Sequence, residues 1–215
     1  MQINTNKLKT NLNLLKQSIN KNYLLKTFGL RLLIFMGIGA IIYFIIRSNP
    51  EIKYNIQHAQ YVKEFSKIIM YPSFYILKAI GYDAYLFYSK TIYIYGVYAI
   101  GINGSGSVFL GIPCFGIALM GGFIALIVSF PGKLKHKLWF IPSGLIIIQL
   151  LNISRMCTLA VLIHKGFRHT FEDYYFLGIF KFNHHDIFNF FIYIVIFGMF
   201  VLYVNKFGVR NYKAK

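Results

Sequence analysis

Apolar runs close to the length of a bilayer crossing recur along the 215-residue chain, and this constrains its fold more than anything else in the sequence. A helix needs ~20 such residues to cross the hydrocarbon layer. Four runs meet or approach that length, at residues 28–46, 111–130, 138–163 and 187–204. Charged residues make up only 13% of the chain against 57% hydrophobic, where soluble domains carry about 25% charged residues. A water-soluble globule is thereby excluded. The expected fold class is an all-α polytopic membrane protein with four clear transmembrane helices and an external loop region that holds room for a hairpin.

The placement of charge predicts the topology. Of 23 Lys and Arg residues, thirteen lie in residues 1–31, the 132–137 loop and the tail after Val204. None of the six acidic residues falls there. Cytoplasmic loops are enriched in Lys and Arg, so both termini are expected inside the cell. The organisation read this way is a basic cytoplasmic segment (1–27), a single transmembrane domain (28–207) and a basic cytoplasmic tail (208–215). The first run lacks a small-residue cleavage site and reads as an uncleaved helix rather than a signal peptide. Segments 68–82 and 86–102 are apolar but short. Either both cross, giving six spans, or neither does; alternation at Ile92–Tyr95 and the Asn103-Gly104-Ser105-Gly106 turn fit a hairpin as well as a helix.

Three features from different spans are expected at one depth near the outer face. Arg155 is the one charge well inside a clear span, and Asn152, three residues earlier, shares its helix face. Cys114 opens another span, with Pro113 before it and Gly116 two residues on. A helix N-terminus there would favour the thiolate. His184-His185-Asp186 precede the last span. A thiol nucleophile needs a proton carrier and a stabiliser for the developing oxyanion, and imidazole and guanidinium supply them.

The strings Pro113-Cys114-Phe115-Gly116, Asn152-Ile153-Ser154-Arg155 and His185-Asp186 ahead of a final span resemble the ordered motifs of the exosortase/archaeosortase family. The likeness covers residues 92–207; the chain is smaller than many members, and Phe115 stands where the family has a small residue. The resemblance implies a membrane cysteine transpeptidase that cleaves C-terminal sorting signals from exported proteins. It implies Cys114 as nucleophile, His185 as proton carrier with His184 as the alternative, and Arg155 as oxyanion stabiliser. Asn152 and Gly116 would support them. Expected partners are an exported substrate protein and membrane lipid, with no nucleic acid, metal or cofactor. The expected location is the cytoplasmic membrane of a prokaryote, with the active site toward the outer face.

The competing class is a non-enzymatic membrane subunit whose histidines bind haem or quinone. Cys157, two residues after Arg155, is turned about 200° away on a 3.6-residue helix and reads as packing; a Cys114–Cys157 disulfide is the structural alternative. Ala118 and Gly122 form a small-xxx-small pair suited to close helix approach. Gln149 is the remaining polar residue deep in a span.

Overall fold

The computed structural model describes the backbone at residues 5–90, 96–167, 174–176, 180–182 and 184–208, and side chains at 23–56, 58–90, 96–112, 114–167 and 188–207. Among these residues, six α-helices and two small sheets follow in the order α1 (Thr5–Ser48), α2 (Pro50–His58), α3 (Gln60–Ala79), β1 (Ala84–Ser89), β2 (Val97–Ile102), β3 (Ser107–Phe109), α4 (Ile117–Ser129), α5 (Leu134–His164), β4 (Tyr174–Phe176), β5 (Phe180–Phe182) and α6 (His184–Tyr203). A 3₁₀ turn, Ile112–Phe115, leads into α4, and a π turn, Val204–Gly208, closes α6.

Among the described residues, three stretches are long and apolar enough to cross a membrane: Tyr23–Ser48, Leu134–His164 and Phe188–Phe207. The chain is therefore a helical membrane protein, and the expectation of four clear spans, or six, is corrected to three. The fourth run fails on helix length. Residues 111–116 count as apolar, yet Pro113 and a left-handed Gly116 (φ 73°) turn them into a 3₁₀ segment, so α4 proper has 13 residues. At ~1.5 Å per residue it is roughly 20 Å long, against the ~30 Å hydrocarbon layer.

The two short apolar stretches resolve differently from each other. Residues 68–79 belong to α3, an amphipathic helix that buries Ile69, Met70, Ser73 and Leu77 and leaves Ile68, Tyr71, Tyr75 and Ile76 exposed. The second forms strands: β1 pairs antiparallel with β2, from Ala84 opposite Ile102 to Ser89 opposite Val97, and β2 pairs with β3. The anticipated turn at Asn103–Gly106 joins β2 to β3, with Gly104 at φ 81° supplying the left-handed position. Asn103 Nδ2 donates to Asp83 Oδ2 at 2.6 Å and ties the turn to the start of β1. The Ile92–Tyr95 part of that reading lies outside the described residues.

Helices α4, α5 and α6 pack together, with α1 against α4. One end of this bundle is locked by aromatics: Phe130, just after α4, meets Phe28 of α1 at 5.7 Å, Phe200 of α6 at 6.0 Å and Tyr203 at 6.2 Å between ring centroids. Lys137 closes the same end by donating to the Val128 carbonyl at 2.7 Å, which satisfies an otherwise unpaired helix C-terminal acceptor. The close α4–α5 approach rests on Gly144, where a Cβ would lie 2.2 Å from the Phe123 ring. Gly122 has nothing within 4 Å of its Cβ position and Ala118 is exposed, so the small-xxx-small pair anticipated there is not the contact. A second core joins the other end of α5 to α3 and the sheet, around Met70, Leu77, Ile100, Leu110, Met156 and Leu159.

α1 runs unbroken from the basic N-terminal segment into the first span. No residue in its apolar window is buried.

Candidate active site

The cysteine sits on a turn, not on a helix. Pro113 fixes a backbone angle suited to a tight turn, Cys114 N–H donates to the Gly111 carbonyl at 2.9 Å, and Gly116 reverses the chain into α4. This turn delivers Cys114 against α5, where Arg155 Nη2 lies 3.8 Å from its Sγ. The two residues are 41 positions apart, and only 8% and 3% of their surfaces are exposed. The Arg155 guanidinium also lies over the Phe188 ring of α6, 5.5 Å from its centroid.

Asn152 and Gln149, on the preceding turn of α5, hold the carbonyl of the residue after the cysteine. Gln149 Nε2 donates to the Phe115 oxygen at 3.2 Å and to Met120 Sδ at 3.1 Å. Asn152 Nδ2 donates to that same oxygen and to Gln149 Oε1, each at 3.4 Å. Fixing this carbonyl fixes the Phe115–Gly116 peptide plane, one residue beyond Cys114. Gly116 is part of the same fit, since a Cβ there would stand 2.5 Å from Asn152 Nδ2. Asn152 is 2% exposed and its Oδ1 has no hydrogen-bond partner among the described residues.

Cys114 lies ahead of α4 and outside the three long spans. Burial pushes its thiol up from the ordinary range, while the charge on Arg155 and a hydrogen bond to the thiol from the Gly111 backbone act the other way. A guanidinium is thus the larger support for the thiolate and a backbone hydrogen bond the smaller, both against a larger cost of burial.

Among the expected site residues, Cys114, Arg155, Asn152 and Gly116 are brought together. His184 and His185 open α6, but their side chains lie outside the described residues. The backbone register separates the two. Ile192, Ile196, Met199 and Tyr203 mark the buried face of α6. His185 is seven positions before Ile192, which on a helix of ~100° per residue puts it within about 20° of that face, whereas His184 is about 80° away. Phe188, stacked on Arg155, is three positions after His185. Cys157 points elsewhere: its thiol donates to the Ser73 carbonyl of α3 at 3.6 Å, and no disulfide joins it to Cys114. Gln149 is the contributor that sequence reasoning set aside; its spacing of three from Asn152 was the available signal.

No protein-family model, curated protein or solved structure matches the chain.

Proposed function

We propose that the chain is a membrane-embedded cysteine peptidase or transpeptidase of exosortase type. The observation that carries this reading is the buried contact between Cys114 Sγ and Arg155 Nη2 at 3.8 Å. A thiol packed beside a fixed cation, on a glycine-terminated turn clamped by two amide side chains, suits a nucleophile better than a packing residue.

In the proposed reaction the Cys114 thiolate attacks a peptide carbonyl of an exported protein's C-terminal sorting signal. Arg155 stabilises the oxyanion that forms. The imidazole of His185 takes the thiol proton and gives it to the departing amine, leaving a thioester on Cys114. An amine acceptor, or water, then attacks the thioester and regenerates the thiol. The register of α6 supports His185 over His184 as proton carrier. Asn152 and Gln149 are positioning residues that act through the Phe115 carbonyl. The finer topology belongs to the same proposal: both termini are cytoplasmic, which with three long spans requires the 13-residue α4, with the 3₁₀ turn ahead of it, to carry the chain back to the basic 132–137 loop through a locally thinned layer, and the site opens toward the outer face of a prokaryotic cytoplasmic membrane.

Labelling with a membrane-impermeant thiol reagent across a pH series tests the reading without a substrate. Wild type and Cys157→Ala should react at Cys114 from outside, and Cys114→Ala should not. Arg155→Ala should need a higher pH for the same rate. An inert Cys114 in reduced, folded protein, or labelling only from inside, overturns the assignment. A purified protein coloured by haem that tolerates Cys114→Ala would favour the cofactor-binding subunit instead.

A further inference from the structure

Beside the cysteine turn, with Phe115 in its wall, lies a cavity of about 240 Å³. Its walls include His58 at the end of α2, Gln60, Lys63 and Ser66 in the first turns of α3, Tyr88 of β1, and Phe115. Lys63 Nζ stands over the Tyr88 ring, 4.6 Å from its centroid. No acidic side chain is among the described residues lining the cavity. Glu64, the next residue in sequence, is held by Lys67 at 2.8 Å.

Positive potential here has a second source. α3 is 20 residues long and begins at the cavity, and Ala59 at its N-cap offers no side-chain hydrogen bond to the first turn. Unpaired N–H groups at such an end carry partial positive charge and suit an oxyanion. Close packing of Tyr88 against Gly96 shapes the opposite wall, since a Cβ at Gly96 would meet the Tyr88 hydroxyl.

We infer that this cavity holds the phosphate of an anionic phospholipid headgroup. Its position favours a lipid over a soluble anion. The first span ends at Ser48, and the nine-residue α2, about 14 Å long, is what separates that end from the α3 start, which keeps the cavity within reach of the headgroup layer. α3 itself leaves Ile68, Tyr71, Tyr75 and Ile76 exposed beside Lys63, Lys67 and Lys78, the composition of a helix that lies in that layer. Phe115 forms a wall of the cavity and directly follows Cys114, so an occupied headgroup site buttresses the cysteine turn. The inference goes beyond the peptidase reading and does not depend on it.

The test uses the full chain in a neutral detergent, with Tm followed while phosphatidylglycerol, a phosphate-free neutral glycolipid or inorganic phosphate is added. Phosphatidylglycerol should raise Tm saturably and the glycolipid should not. Lys63→Met, or Lys63→Gln should that variant not fold, should raise the half-saturating concentration at least tenfold. Lys63→Arg should retain most of the response, and Lys78→Met, whose lysine neither lines the cavity nor pairs with Glu64, should match wild type. A response equal in all variants assigns lipid binding to diffuse charge and overturns the inference. So does an equal Lys63-dependent response to inorganic phosphate, which would make the ligand a free anion, or competitive displacement of the lipid by an acidic peptide, which would make it a carboxylate.

Discussion

Replacing Gly116 with alanine probes whether the cysteine turn is held by fit. Two costs separate cleanly. Gly116 has φ 73°, and an L-residue in that region costs ~1–2 kcal/mol. The added Cβ also stands 2.5 Å from Asn152 Nδ2, so the amide must move. Moving it breaks the bonds to the Phe115 oxygen and Gln149 Oε1 and leaves buried polar atoms unmatched, for a further ~1–3 kcal/mol. Gly104 provides the control, with φ 81° and nothing within 4 Å of its Cβ position. Gly104→Ala should therefore lose only the ~1–2 kcal/mol of backbone strain, and the difference between the variants should be ~1–3 kcal/mol. Reversible unfolding in mixed detergent micelles reads that difference, and the rate of Cys114 alkylation reads the displacement of the turn. Asn152→Ala in the Gly116→Ala background should recover part of the loss, because the two sites share one contact. Equal destabilisation by the two glycine substitutions, with unchanged Cys114 reactivity, would refute the clamp.

Four further outcomes follow from other contacts. Arg155→Met should shift the onset of Cys114 alkylation to higher pH: burial already pushes the thiol up, the guanidinium opposes that push, and the reactive thiolate forms only as pH rises through the shifted value. His185→Ala should abolish thioester turnover while His184→Ala retains it, as measured by product release from a sorting-signal substrate; the reverse result would contradict the α6 register. Gly144→Ala should destabilise the bundle by about 1–3 kcal/mol in unfolding assays, because its Cβ would overlap the Phe123 ring across the α4–α5 contact. Tyr203→Phe should leave stability unchanged or raise it by up to ~1 kcal/mol, since the Tyr203 hydroxyl is buried with no partner among the described residues.

Hydropathy made three long helices legible because a crossing segment must be continuously apolar, whatever it packs against. It overcounted at residues 111–130, since the residues of a 3₁₀ turn score as apolar as those of a helix. Pro113 and Gly116 were the visible signs of that turn, but the left-handed conformation of Gly116 exists to let Asn152 approach, a contact between segments 36 positions apart. The β1–β2–β3 sheet was foreshadowed by the Asn103-Gly104 turn, which is a local signal. The proximity of Cys114 to Arg155 was legible only as shared depth, and the 3.8 Å contact depends on how α4 docks on α5. That docking depends on Gly144, which periodicity alone does not distinguish from the other glycines. Gln149 remained hidden for a related reason: a lone polar side chain in a span acquires meaning only from the carbonyl it reaches.

The exposure of α1 has a consequence for how freely the sequence can drift. From Leu33 to Ile45 every residue of that helix is exposed, and among the described residues its ring contacts are those of Phe28, near the start of the span. Such a stretch is specified by solubility in lipid and by nothing of complementary shape. Scrambling residues 33–45 should therefore preserve folding, whereas a single change at Phe28 should not, and divergent versions of this chain should keep their alphabet there while losing their spelling.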